Sequence, residues 1–249
     1  MYYLQGQTME TIARHLGVSR SSVSRLLSYA RETGLVRISV SAAPGNKGTL
    51  SGQISEIFGV QTSVVPVHDV HTEVNRLHNV SLVAAERLID MLKPGVTLGI
   101  AWGNTTSEIT RCMPRVNFPG STVVQLNGAA TATESGMPYA DAIISRAARA
   151  IGGRMVHFPV PTFFDYAETK DALWRERSVQ AVLKTIEDCD IALFGIGSLS
   201  ARLPSHVYSG GFLDTEELAA AQRDGVVGDV CTVLLREDGS TDMALNSRA

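Results

Sequence analysis

Cysteine is scarce and scattered. The 249 residues hold only Cys112, Cys189 and Cys231, an odd number without metal-ligand spacing, which excludes a disulfide framework. They are expected as reduced thiols in core or half-buried positions. Long apolar runs are missing too. Stretches such as Ile191–Ile196 are far too short to span a bilayer, and no signal peptide is visible. The chain therefore reads as cytoplasmic, with no membrane partner. Catalytic signatures are also lacking. There is no P-loop and no nucleophile elbow, and Gly195-Ile196-Gly197 lacks the third glycine and the helix of a dinucleotide fingerprint. Among the six histidines, His68 and His71 flank Asp69 in a loop, but their spacing fits no strong metal template. His157 lies in an apolar strand and reads as a core residue. These absences disfavour an enzyme, and neither a cofactor nor a metal is expected.

What is present is enough for a sizeable core: 44% hydrophobic and 19% charged residues, in a length that allows two domains or one large one. The overall charge of −3 is unevenly spread. Residues 1–40 hold five arginines against Glu10 and Glu32, a net +3, whereas residues 41–249 hold 17 basic and 23 acidic residues, a net −6. A basic head on an acidic body points to nucleic acid at the N-terminal end only.

That head contains TMETIARHLGVSRSSVSRLL, Thr8–Leu27. Met9, Ile12, Ala13 and Leu16 fall at i, i+3, i+4 and i+7 on one helical face, and Val23, Leu26, Leu27 and Ala30 repeat the spacing. Thr8 suits the N-cap of the first helix, Gly17 can take the positive φ that stops it, and Ser19 can cap the second. The second helix is expected over about 20–33, ended by Gly34. Its outward residues are Ser19, Arg20, Ser21, Ser22, Ser24 and Arg25, short hydroxyls and long cations with no acid before Glu32. This composition suits a helix laid in the DNA major groove. A plain αα-hairpin is the competing reading. Leu35–Val40 alternates as a short strand, giving a winged variant with a reduced wing. Few residues precede the first helix, and the brace that such a pair normally needs is expected to be shortened at the N-terminus.

Ser41–Gly48 carries proline, two glycines and small residues without periodicity, and marks a linker. The expected organisation is a helix-turn-helix domain at 1–40, a linker at 41–49 and a second domain at 50–249. The second domain alternates helices with continuous apolar strands, the pattern of a Rossmann-like parallel sheet covered on both faces, hence an α/β fold. Strands are expected over 61–67, 96–102, 121–126, 154–158, 190–196 and 226–236.

In open α/β sheets ligands bind beyond the carboxyl ends of strands. Four exits are suggestive. Gly103, Asn104, Thr105 and Thr106 combine a glycine, hydroxyls and the free amides of a helix start, which suit a phosphate. Gln125, Asn127 and Gly128 offer amides to hydroxyl groups. Gly195–Ser198 is a flexible exit, and Asp229 is an acid able to pair with two hydroxyls. Each exit alone is ordinary turn chemistry; four together point to one convergent pocket.

These residues resemble the SorC/DeoR-type bacterial transcriptional regulators. The resemblance runs over essentially the whole chain: GQTMETIARHLGVSRSSVSRLLSYARETGLVRI in the head, then LKPGVTLGIAWGNT, VVQLNG, a strand ending in GIG, and DGVVGDV in order. It implies operator DNA as one partner, a phosphorylated sugar effector as another, and a homo-oligomer, dimer or tetramer. By motif, Gly103, Asn104, Thr105 and Thr106 would hold the phosphate, and Gln125, Asn127 and Asp229 would face the sugar. The family pattern continues past Ala249, so the chain is expected to be truncated at the C-terminus relative to it. Two alternatives stand beside this reading: a sugar-phosphate isomerase/deaminase-like enzyme with an appended helix-turn-helix, and a non-functional truncated remnant.

Overall fold

The computed structural model describes residues 1–2, 6–32, 49–67, 72–130, 136–201 and 205–249. The expected strand at 35–40, the linker and the His68–His71 loop lie outside these residues. The chain divides into two compact units, Met1–Val64 and Val65–Ala249.

In the first unit, α1 (Met9–Leu16) and α2 (Arg20–Glu32) form the expected pair. Thr8 caps α1 by accepting from the Thr11 amide at 3.2 Å, and Gly17 ends it at φ 67°. Ser19 Oγ accepts from the Ser22 amide at 3.1 Å and starts α2. Ile12, Ala13 and Val23 are buried between the helices, with Tyr2, Met9 and Leu27 partly buried around them. Leu16 and Leu26, which the periodicity places inward, are 50% and 55% exposed. After α3 (Leu50–Phe58), the expected strand at 61–67 does not form. The Thr62 and Val64 amides instead donate to Ser55 Oγ at 3.2 Å and Ser51 Oγ at 3.1 Å, so serines of α3 take the donors that a neighbouring strand would need.

The second unit follows with α4 (Glu73–Met91), β1 (Thr97–Ile100), α5 (Asn104–Cys112), β2 (Thr122–Gln125), α6 (Gly136–Ile151) and β3 (Arg154–Val156). Then come α7 (Ala167–Leu173), α8 (Arg177–Glu187), β4 (Ile191–Leu193), β5 (Ile196–Ser198), α9 (His206–Ser209), α10 (Thr215–Arg223), β6 (Val226–Val230) and β7 (Val233–Arg236). Four strands make a parallel sheet in the order β3-β2-β1-β4. Leu98, Ile100 and Val123 are buried under Leu88 of α4, Ile109 of α5, and Ile143, Ile144 and Ala147 of α6. The opposite face is closed as well. A Cβ at Gly99 would lie 2.5 Å from Leu126 and 3.3 Å from Cys189 Sγ, and Val124 is fully buried. Strands buried on both faces explain the unbroken apolar runs.

Two expectations need correction. The strand expected at 190–196 breaks at Phe194-Gly195: β4 pairs parallel with β1, while β5 turns away to pair with β6. The strand expected at 226–236 is a hairpin, β6 and β7, turning at Cys231 (φ 50°) and Thr232 (φ 71°). The sheet is therefore not continuous: β5-β6-β7 form a separate antiparallel sheet. A closing 3₁₀ turn, Ala244–Arg248, packs back on the body. Asn246 Oδ1 accepts from the Leu234 amide and its Nδ2 donates to the Leu234 carbonyl, and the Arg248 guanidinium pairs with Glu217 at 2.7 Å.

Candidate functional site

Each unit carries one candidate site. On α2, Ser19, Arg20, Ser21, Ser24 and Arg25 are exposed and Ser22 is half-buried. Ser19 Oγ stands 2.8 Å from Ser21 Oγ and 2.9 Å from Ser22 Oγ, so the cap is also the start of a hydroxyl-rich edge. Val23, on the opposite face, anchors the helix to α1, leaving the cationic face outward.

The second unit holds a cleft. It opens beyond β1 and β4, which lie side by side, the chain going on from β1 towards β2 and from β4 into the antiparallel sheet; open α/β sheets use such crevices at strand ends for ligands. Ala101–Thr106, leaving β1, form one wall; Gly195–Ser198, following β4, form another; Asn127 joins from the end of β2. The first intrahelical bond of α5 runs from the Ser107 amide to the Gly103 carbonyl at 2.8 Å. The amides of Thr105 and Thr106 thus precede the first intrahelical bond, in residues that line the cleft. The Thr106 hydroxyl donates to the Gly103 carbonyl at 3.1 Å and fixes that turn. Asn127 Oδ1 accepts from the Trp102 amide at 3.3 Å, and Trp102 Nε1 donates to the Gly128 carbonyl at 2.8 Å, which locks the ends of β1 and β2 together.

The antiparallel sheet supplies the acid. Gly197 faces Asp229 across β5 and β6, and a Cβ there would fall 1.9 Å from Asp229 Oδ1. The glycine therefore makes room for the carboxylate to fold over the strand. Asp229 is 5% exposed, and its Oδ1 has no hydrogen-bond partner among the described residues. Burial pushes its pKa up, while the neighbouring Tyr208 and Ser205 hydroxyls and the Thr232 amide pull it back. Burial and the Asp229 charge push the Cys231 thiol up to about 11. A buried carboxylate with one open oxygen, facing polar backbone across a cleft, is built to receive hydroxyl donors.

Comparison with known proteins decides the family. Residues 44–249 match the family described as "Putative sugar-binding domain". The chain belongs to the SorC/DeoR-type transcriptional regulators. Residues 1–33 match the helix-turn-helix family "Sigma-70, region 4". The chain is 28% identical to the "Deoxyribonucleoside regulator" of Bacillus subtilis, over all of this chain and 78% of the relative. A domain of a "possible sugar-binding transcriptional regulator" from Arthrobacter aurescens superposes with a TM-score of 0.75 at 42% identity, covering 84% of this chain and 80% of that one. The full-length sorbitol operon regulator SorC from Klebsiella pneumoniae shares the fold, with a TM-score of 0.73 at 23% identity, over 100% of this chain and 79% of that one.

In this SorC/DeoR-type body, the cleft gathers Gly103, Asn104, Thr105, Thr106, Asn127 and Asp229 from the sequence-derived set. Gln125 and Gly128 stand outside its lining. Gln125 is 1% exposed and its amide nitrogen donates to the Asn127 carbonyl at 2.7 Å. Gly128 is pressed against the 160–161 backbone, where a Cβ would meet the Pro161 carbonyl oxygen at 2.1 Å. Both support Asn127 from behind. Sequence reasoning missed Leu77, Ser205, Cys231 and Thr232 in the lining. Only the polar Ser and Thr carried a usable signal, and neither stands at a strand exit of the parallel sheet.

Proposed function

We propose that α2 reads operator DNA and that a phosphorylated sugar, held in the cleft of the second unit, controls that reading. The observation that carries the effector half is the pairing of two opposite features in one cleft. A helix start at Gly103–Thr106, suited to an anion, lines the same cleft as Asp229, a buried carboxylate with an open oxygen. Phosphate suits the first and sugar hydroxyls suit the second. Similar regulators bear the names of sorbitol and of deoxyribonucleosides, both hydroxyl-rich compounds. In the same scheme the protein works as a homo-oligomer, its heads on half-sites about one helical turn (~34 Å) apart, so that a small rotation changes their fit.

Thermal-shift titration with sugar phosphates, the matching free sugars and inorganic phosphate tests the effector. A true effector at about 100 times its Kd adds roughly 2.7 kcal/mol, and the free sugar should add far less. Equal stabilisation by both would remove the phosphate from the scheme. The ligand should be recovered unchanged, since turnover would favour the isomerase/deaminase-like reading. For DNA, Arg20→Ala combined with Arg25→Ala should abolish specific operator binding. Full-strength specific binding by that variant would overturn the assignment of α2.

A further inference from the structure

Away from the cleft, three ligand-type side chains meet where α4 packs beside α5. His78 lies on α4; Glu108 and Cys112 lie one turn apart on α5. His78 Nδ1 is 2.8 Å from Glu108 Oε1 and 4.0 Å from Cys112 Sγ, and the three ligand atoms all fall within 4.8 Å of one another. We propose that His78, Glu108 and Cys112 form a binding site for one divalent ion of the zinc class, with a water completing the tetrahedron.

The distances support this. Zinc takes nitrogen and oxygen at about 2.0–2.2 Å and thiolate at about 2.3 Å, which places tetrahedral ligand atoms roughly 3.3–3.6 Å apart. The His–Glu pair is about half an ångström too close for that and the His–Cys pair about half an ångström too wide. The Glu108–Cys112 pair, within 4.8 Å, has the most to close, and rotation about the side-chain torsions of the three residues is the movement that metal binding requires. The donor set fits a borderline ion: imidazole, carboxylate and thiolate together, not the all-oxygen set of magnesium or calcium. A thiolate and a carboxylate neutralise the 2+ charge, the thiol proton going to solvent on binding. Glu108 Oε2 is held 3.6 Å from Arg111 Nη1, which fixes the carboxylate and leaves Oε1 toward His78. The His78 side chain is 51% exposed, so the ion has an entry path and room for its water. Without metal, the cluster is an exposed His–Glu pair worth little to stability. With metal, it clamps α4, whose Leu77 lines the cleft, to α5, whose first turn also lines it.

Cobalt(II) titration of the metal-free, untagged full chain tests the site. The expected result is saturation at one equivalent, a thiolate-to-cobalt charge-transfer band in the near ultraviolet, and displacement of that band by zinc. Cys112→Ser should remove the band. Cys112→Ser and His78→Ala should each weaken binding by more than the roughly 10–100-fold that follows from losing an outer-shell partner. Cys189→Ser, Cys231→Ser and a His68→Ala/His71→Ala variant should leave the band intact. A band that survives Cys112→Ser, binding without a thiolate band, or no saturable binding at all would each overturn the proposal. His78 is exposed on α4 and Cys112 is half-buried on α5. Circular dichroism of each variant separates lost ligation from lost folding.

Discussion

At the scale of single residues, Asp229 carries the sharpest expectation. Its open oxygen is a cost to the folded protein and an opportunity for a ligand. Because burial raises its pKa above the ordinary carboxylate value, the folded chain holds its proton more tightly than the unfolded chain. Stability then falls as pH rises through the window between the two values, and the penalty stays in place at neutral pH. Asp229→Asn should therefore match or exceed the wild type in melting temperature at pH 7. The same variant should lose about 10–150-fold in effector affinity, the equivalent of a charged hydrogen bond worth roughly 1.5–3 kcal/mol. A drop in stability with unchanged affinity would show the carboxylate to be structural. His206 has the opposite sign. It packs against Trp102, Tyr139 and Phe212 with ring centroids 6.0, 4.6 and 5.7 Å away, and burial lowers its pKa. The unfolded chain takes its proton first, so stability is lost as pH falls below about 6.5. His206→Phe, which keeps a ring in the cluster, should flatten that acid limb in pH-dependent melting. Asn127, just past β2, and Asp229, inside β6, were visible in the sequence only as members of a set of polar strand ends, each of them ordinary turn chemistry alone. Ser205 and Tyr208 were not. They reach Asp229 from α9, a helix of four residues with no pattern to announce it.

Between elements, legibility followed periodicity. The helices of the first unit, their caps at Thr8, Gly17 and Ser19, and the four parallel strands all repeat patterns that secondary structure imposes. What escaped was the pairing of strands. Val226–Arg236 contains no glycine, asparagine or proline between Asp229 and Arg236, so nothing in it signals a turn. Yet the chain turns at Cys231-Thr232 with both residues at positive φ, the two-residue hairpin geometry that normally recruits Asn-Gly. A β-branched threonine at φ 71° is strained, and such strain persists where surrounding contacts over-determine the backbone. Here those contacts are the cleft's own: Thr232 and Cys231 line it, and the Thr232 amide helps to hold down the pKa of Asp229. Replacing the pair, Cys231→Asn with Thr232→Gly, should relieve about 1–3 kcal/mol and raise the melting temperature by about 2–4 °C per kcal/mol. Effector affinity should fall at the same time, because glycine frees the backbone that aims the amide. A gain in stability with affinity unchanged would detach the turn from the site. In the first unit, Ser19→Ala should cost about 1 kcal/mol through the lost cap, measurable by chemical denaturation.

Across the whole molecule, charge separates the two activities. The first 40 residues carry +3 and the rest −6, so the forces that bring DNA to the protein are confined to one end. The acidic body repels a polyanion, and the cleft therefore has to take a small anion by local donors, not by net charge. Salt should discriminate the two. DNA binding releases counterions, and log K falls with log salt by about 0.9 for each phosphate neutralised. The cleft offers helix amides and hydroxyls to its ligand and, among its described lining residues, no lysine or arginine, so effector affinity should depend on salt far less steeply. Arg20 and Arg25 can then be told apart. The arginine that holds a phosphate should, as alanine, weaken binding to all sequences alike and reduce the salt slope by about 1, whereas a base-reading arginine should relax specificity at one position at a cost of ~1–3 kcal/mol. Fluorescence anisotropy across a salt series, with operator and scrambled duplex, reads both quantities. If the effector loosens DNA by rotating the heads, saturating it should lower the specific affinity and leave the scrambled-duplex affinity and its slope nearly unchanged, because phosphates tolerate a shifted register and base edges do not. A parallel loss on both duplexes would place the effector's action on the charge of the head instead of on its geometry.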